Sequence, residues 1–211
     1  MAKDVKRGQV LVISGPAGSG KGTTVSKILE LFPEDYVLSV SCTTRKPRKG
    51  EIDGVHYHFI SGEEFQKREK EHRFLEYARY INDNNYGTPC EFVEEQRALG
   101  KNVILEIDVK GGMQVKQKLP ETILIMVAPP DAGTLEKRLR GRGTEKEEEI
   151  VKRLSRGRQE LESLPDYEYL VLLPENDVET PARQIDTIVK ACGMRIGNYP
   201  DFAKDFYGES K

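Results

Sequence analysis

Gly15-Pro16-Ala17-Gly18-Ser19-Gly20-Lys21 is the stretch whose residue types and spacing point most directly to chemistry. It follows the apolar run Val10-Leu11-Val12-Ile13 and precedes Val25, Ile28, Leu29 and Phe32 at helical spacing. Strand, glycine-rich turn, lysine and helix in that order make a P-loop. Glycines let such a turn close around a phosphate with backbone N–H groups pointing inward; the helix N-terminus adds partial positive charge and Lys21 a full one. A plain glycine turn does not explain a lysine placed directly after Gly20. The ligand class is a nucleoside triphosphate, held by Gly15 through Lys21 with Gly22 and Thr23. The motif G-x-x-x-x-G-K-[ST] wants a hydroxyl after the lysine to ligate magnesium. Here Gly22 stands at that position, with Thr23 and Thr24 next. Mg²⁺ is therefore expected to arrive with the triphosphate and to sit mostly on phosphate oxygens and water.

A second constellation is Ser41-Cys42-Thr43-Thr44-Arg45-Lys46-Pro47-Arg48. Two arginines three apart, beside a stiffening Pro47, can fork onto one phosphate, because planar guanidinium donors match phosphate oxygens bidentately. A basic loop is usually only a solvated turn. Tyr57 and Tyr86 weigh against that here, since their hydroxyls can reach the same phosphate, although either tyrosine alone reads as a half-buried packing residue.

These groups need a scaffold. Apolar runs alternate with helix-period segments, which argues for an α/β fold with a parallel sheet covered by helices. Strands are expected over 10–13, 37–40, 103–107, 123–127 and 169–173, and helices over 22–31, 89–99, 111–118, 132–140, 146–163 and 181–191. Between residues 41 and 88 the pattern breaks into short alternating segments such as His56-Tyr57-His58-Phe59-Ile60, with Gly50, Gly54 and Gly62. That reads as an antiparallel insertion with one short helix opened by a Ser61/Glu64 capping box. Thr144 and Glu147 look like a second capping box. The expected division is a core of 1–40, 89–137 and 164–193, an insertion at 41–88, a lid with its following helix at 138–163, and a tail at 194–211 whose weak periodicity predicts partial docking.

The chain has 211 residues and 23.9 kDa, enough for one globular unit with inserted subdomains. Its 33 basic and 35 acidic residues leave a net charge of −2, so no general field for nucleic acid or a membrane surface is expected. Met1-Ala2-Lys3-Asp4 has no apolar h-region, and no apolar run is long enough to span a bilayer. Cys42, Cys90 and Cys192 show no metal spacing and cannot all pair, which reads as a reducing cytoplasm. Cys42 reads as a small buried filler. His56 and His58 alternate on one strand face, a weak metal signal, and no histidine catalysis is expected. No metal site built from protein groups is expected either.

Several further motifs occur in order: Gly50-Glu51 with Gly54 and Tyr57, Phe74-Leu75-Glu76, Tyr86-Gly87-Thr88, Ile104-Leu105-Glu106-Ile107-Asp108 and Arg138-Leu139-Arg140-Gly141-Arg142-Gly143. Together with the P-loop and the S-x-T-T-R-x-P-R segment, they resemble the guanylate kinase family, whose members phosphorylate GMP with ATP. The resemblance covers roughly residues 8–190. It implies a P-loop core carrying an NMP-binding insertion and a short lid, with ATP and GMP as small-molecule partners. Arg45, Arg48, Tyr57 and Tyr86 match the positions that hold the GMP phosphate. Glu76 matches the carboxylate that accepts the guanine N1–H and N2 amino hydrogens. Ser41 and Thr88 match hydroxyls facing O6, Asp108 a further guanine-side carboxylate, and Glu106 an acidic position near the nucleotide phosphates. Arg138, Arg142 and Arg153 match the lid arginines that act with Lys21 in catalysis.

The chemistry of these residues agrees, since an ionised carboxylate only accepts and guanine offers two adjacent donors. Thr88 also reads as the N-cap of a helix with Pro89 at N1 and Glu91 at N3. Arg140, Arg156 and Arg158 read as members of a solvated, acid-paired helix face. Two departures from the family pattern stand out, a longer loop at Asn82-Asp83-Asn84-Asn85-Tyr86 and the inserted Pro174-Glu175. Two other functions fit the same scaffold: a non-catalytic phosphopeptide-binding module, and a kinase for another phosphorylated acceptor such as AMP, dTMP or a ribosyl phosphate.

Overall fold

Residues 7–79, 84–141 and 147–208 are described in a computed structural model. β1 (Val10–Ser14) is buried along its whole length, so both its faces must be covered, as in the middle of a parallel α/β sheet. It pairs in parallel with β7 (Asn102–Glu106), Val10 opposite Val103 and Ile13 opposite Glu106, and with β8 (Ile123–Ala128). β2 (Tyr36–Leu38) and β9 (Tyr169–Leu172) complete the five-stranded order β2-β7-β1-β8-β9, all parallel.

Alternation along β1 divides the core. Leu11 and Ile13 pack with Val25 and Ile28 of α1 (Lys21–Leu31) and with Ile185 and Val189 of α7 (Glu179–Gly193). Val10 and Val12 face the other way, toward Val93 of α3 (Cys90–Ala98) and Val115 of α4 (Val109–Lys118). The expected strands and helices all appear, with ends moved by a residue or two, as fraying ends allow.

The insertion folds as a second sheet of order β4-β3-β6-β5, built from β3 (Cys42–Thr43), β4 (His58–Phe59), β5 (Phe74–Arg79) and β6 (Asn85–Pro89). β3 runs antiparallel to β6 but parallel to β4, so the insertion is mixed rather than purely antiparallel. The 14 residues between β3 and β4 give the chain room to return in the same direction. α2 (Gly62–Lys70) starts at Ser61, whose Oγ accepts from Glu64 N at 3.1 Å, and buries Phe65 against Phe74 and Cys42. The insertion is fastened to the core through α4. Gln114 exchanges hydrogen bonds with the backbone of Tyr77 at 3.1 and 3.3 Å, and Lys118 Nζ donates to Phe74 O at 3.0 Å.

α5 (Ala132–Gly141) and α6 (Glu147–Leu161) pack through Leu135, Leu139 and Ile150. α8 (Phe202–Phe206) lies in the tail with Phe202 and Phe206 exposed. No helix among the described residues is long and apolar enough to cross a membrane.

The P-loop turn is fixed by close approach. A Cβ on Gly15, at φ +149°, would stand 2.0 Å from the carbonyl oxygen of Val127 in β8. Gly15→Ala is expected to destabilise the protein by about 1–3 kcal/mol. At this chain length that is a fall in Tm of several degrees, about 2–4 °C per kcal/mol, read by thermal unfolding in circular dichroism. An unchanged Tm is the contrary result.

Candidate functional site

On the P-loop side, no side chain caps the N-terminus of α1, and Gly20, at φ +101°, leads into it. Lys21 Nζ is held by the loop carbonyls of Gly15 and Pro16, the latter at 3.1 Å. Ser19 Oγ is buried and has no hydrogen-bond partner among the described residues. Arg138 turns its fork on backbone, Nη1 donating to Ser19 O at 2.8 Å and Nη2 to Leu173 O and Pro174 O at 2.9 and 3.0 Å. It therefore braces the P-loop against the segment after β9. Arg142, also expected at this site, lies outside the described residues. Glu106, the last residue of β7, faces Gly22, where an added Cβ would lie 3.6 Å from Oε1. Although Glu106 is exposed, desolvation by the surrounding protein raises its carboxyl pKa, and Lys21 opposes that rise. Thr23 is exposed, whereas Thr24 is buried with its hydroxyl donating to Gly20 O at 3.1 Å.

Between the two sheets lies a cavity of about 620 Å³. Ser41, Arg45, Arg48, Tyr57, Glu76, Tyr86 and Asp108 all line it, together with Glu51, Glu106, Arg153 and Arg156. Arg45 sits in a two-pronged pair with Glu51, Nη1 and Nη2 at 2.8 and 2.9 Å. Its Nε donates to Tyr86 OH at 3.2 Å, and its guanidinium lies 5.3 Å from the Tyr57 ring centre. Glu51 also accepts from Arg48 N at 2.6 Å, and these bonds, the Arg45 pair foremost, bring its carboxyl down to about 2. Glu51 is thus the partner that aims Arg45. The only sequence signal for it is the Gly50-Glu51 pair, three residues after Arg48.

Glu76, lining the same cavity, is 4 % exposed. It accepts from Thr88 Oγ1 at 2.7 Å, across the β5/β6 register that pairs the two residues. This corrects the capping expectation for Thr88: the residue preceding α3 is Pro89, with no side-chain cap, and Thr88 belongs to β6. Burial drives the Glu76 carboxyl up to about 7, with Asp108 adding to the rise while Thr88 and Lys118 oppose it. Asp108 Oδ1 caps α4 by accepting from Gly111 N at 2.9 Å. A Cβ on Gly111 would stand 2.9 Å from Glu76 Oε2, so a larger residue there would push the Glu76 carboxylate aside. Arg156, expected on a solvated face, also reaches the cavity, whereas Arg140 pairs with the exposed Glu136 and Glu147. Among the described residues no group of three or more His, Cys, Asp or Glu is arranged to hold a metal.

A lysine-bearing P-loop on a parallel sheet, opening beside a cavity of arginines and carboxylates under a second sheet, defines a P-loop nucleotide kinase. The family model described as guanylate kinase matches residues 7–192. A guanylate kinase of Clostridioides difficile is 43% identical over 205 residues, covering 97% of this chain and 98% of that protein. One from Synechocystis sp. is 47% identical over 171 residues, covering 81% and 88%. The crystal structure of guanylate kinase from Anaplasma phagocytophilum aligns with a TM-score of 0.69 at 29% identity, over 93% of this chain and 96% of that one. The chain belongs to the guanylate kinase family.

A buried carboxyl with a raised pKa penalises the folded state once the unfolded state would ionise. The unfolded protein then holds fewer protons, so stability falls as pH rises from about 4.5 through about 7. At about 1.4 kcal/mol per pH unit, Glu76 accounts for up to about 3 kcal/mol of that fall. Glu76→Gln is expected to flatten this part of the pH–stability curve, measured by urea unfolding at pH 5 and pH 8. A curve of unchanged slope contradicts the burial argument.

Proposed function

We propose that the chain transfers the γ-phosphoryl group of ATP to GMP, giving ADP and GDP, and that the cavity between the sheets is where GMP binds. The observation that carries this reading is Glu76, a buried carboxyl, acceptor-only once ionised, that lines the same cavity as Arg45 and Arg48. Guanine presents two adjacent donors to such a group, whereas adenine presents an acceptor at N1. Thr88 and Ser41 supply hydroxyls beside it, Asp108 a second carboxylate, and Tyr57 and Tyr86 hydroxyls at the phosphate end. Retention of the P-loop lysine and of Arg153 favours catalysis over a pure phosphopeptide-binding role.

ATP is proposed to lie on residues 15–23, where Ser19 Oγ, the loop N–H groups and Lys21 offer donors to phosphate oxygens. Lys21, Arg153 and Arg142 neutralise charge on the transferred group, while Arg138 holds the loop that carries it. The GMP phosphate oxygen is already ionised near neutral pH, so it needs no side-chain base to attack in line. Residues 41–88 and 138–163 are proposed to close over the core and exclude water, the competing acceptor. Magnesium fits the donor set: Glu106 would offer one hard oxygen beside Gly22, with phosphate oxygens and water as its other donors. When bound, it would offset charge on the β- and γ-phosphates. We further place the protein in purine nucleotide metabolism and in the cytoplasm, where its free cysteines Cys42, Cys90 and Cys192 stay reduced.

Two outcomes test this reading. Lys21→Ala is expected to lose most turnover while its circular dichroism spectrum is kept; wild-type activity in the folded variant would remove the P-loop from the mechanism. Glu76→Gln swaps one acceptor for a donor at constant size. It is expected to lower kcat/KM for GMP ~10-fold or more, about 1.4 kcal/mol per decade, and to narrow the GMP/AMP ratio in steady-state kinetics at saturating ATP. An unchanged ratio would move base reading away from Glu76.

A further inference from the structure

We propose that Arg156, on the helix that follows the lid, is a positioning residue for Asp108 and through it ties α6 to the acceptor base. The proposal rests on the reading of the cavity as the GMP site. Arg156 lines that cavity from α6 while Asp108 lines it from the start of α4. Its Nη2 lies 3.5 Å from Asp108 Oδ2, and its Nε lies 3.2 Å from Oε1 of Glu160, one turn further along α6. A solvated helix pair needs only the second contact; the first crosses to another element.

Asp108 is held from two directions. Oδ1 accepts from Gly111 N at 2.9 Å, and Oδ2 faces the guanidinium. Gly111 in turn abuts Glu76, where an added Cβ would lie 2.9 Å from Oε2. Asp108, the first turn of α4 and Glu76 therefore form a contiguous path, and Arg156 stands at its outer end. Charge adds to the geometry. Asp108 and Glu160 repel each other, with Arg156 placed between them and Lys21 also facing Glu160. Removing Arg156 takes away a cation that stands between Asp108 and Glu160. It also leaves Asp108 repelling Glu76, which Lys118 and Thr88 face from the other side.

The pair is partly solvated, with Arg156 57% and Asp108 24% exposed in their side chains, so the effect is modest. Arg156→Ala is expected to raise KM for GMP about three- to fivefold, with KM for ATP and kcat within about twofold, a size typical of partly exposed ion pairs. Asp108→Asn should raise KM for GMP as well, and in that background Arg156→Ala should add less than about twofold, because the charge it positions is gone. Arg156→Lys keeps the charge without the fork. It should shift KM for GMP in the same direction by a smaller factor, and it serves as the probe if the alanine variant does not fold. An unchanged KM for GMP in the Arg156 variants, a rise in KM for ATP instead, or full additivity with Asp108→Asn each overturns the proposal. If Asp108→Asn alone leaves KM for GMP unchanged, the placement of Asp108 at the base fails together with it. If Asp108→Asn raises KM but the Arg156 variants do not, only the role of Arg156 falls.

Discussion

Charge pairing inside one cleft is the constraint on which this structure depends. Four carboxylates, Glu51, Glu76, Glu106 and Asp108, line the same cavity as four guanidinium groups, Arg45, Arg48, Arg153 and Arg156. In a partly enclosed space charges interact far more strongly than in bulk water, so such a crowd is tolerable only if signs alternate. They do: Glu51 faces Arg45, and Asp108 faces Arg156. Glu106 and Glu76 are the exceptions. Among the described residues, Glu106 has only the field of Lys21; Glu76 has a hydroxyl for a partner instead of a cation, and its raised pKa records the cost. A ligand that donates two hydrogen bonds to Glu76 would offset that cost, which is why Glu76 is the group we propose to read the base.

One strand end serves both halves of the cleft. β7 finishes at Glu106, which faces Gly22 and Lys21 of the P-loop; two residues later Asp108 caps α4 and lines the cavity between the sheets. β7 lies beside β1 with Ile13 opposite Glu106, so the carboxyl ends of the two central strands open at the same level. The proposed donor and acceptor sites, built on adjacent strand ends, are thus set side by side by sheet register. The insertion then needs only to be hung at a fixed distance, and Gln114 and Lys118 of α4 do that through the backbone of β5.

Local signals made the scaffold and most of the cleft legible in the sequence. Continuous apolar runs placed every core strand, glycines with Lys21 placed the loop, and Ser61 with Glu64 placed α2. Less legible were the choices made by partners far apart in sequence. Thr88 satisfies a helix-start pattern, yet its hydroxyl is taken by Glu76 across the β5/β6 ladder, because a buried carboxylate has more need of a donor than an exposed helix end has of a cap. The parallel pairing of β3 with β4 depends on how the loop between them returns. Arg138 fits the spacing of a lid arginine, but its fork is fixed by carbonyls of residues 19, 173 and 174. Arg156 looked like one more member of an acid-paired helix, and only the approach of α6 to α4 gives it Asp108.

The phosphate end shows how pairing before binding changes recognition. Two arginines spaced three apart suggested two forks closing on one phosphate. Arg45, however, directs four of its five donors at Glu51, Lys46 O and Tyr86 OH. Its fork is turned toward Glu51, so a phosphate that leaves this pair intact meets the positive field of Arg45 and at most one N–H. Direct bonds must then come chiefly from Arg48 and the tyrosine hydroxyls. An aimed guanidinium loses little side-chain freedom when an anion arrives, because its rotamer is already set by Glu51 and by the Tyr57 and Phe59 rings beneath it. On the proposed reading of this end as the phosphate site, Glu51 fixes in advance where the charge of Arg45 stands.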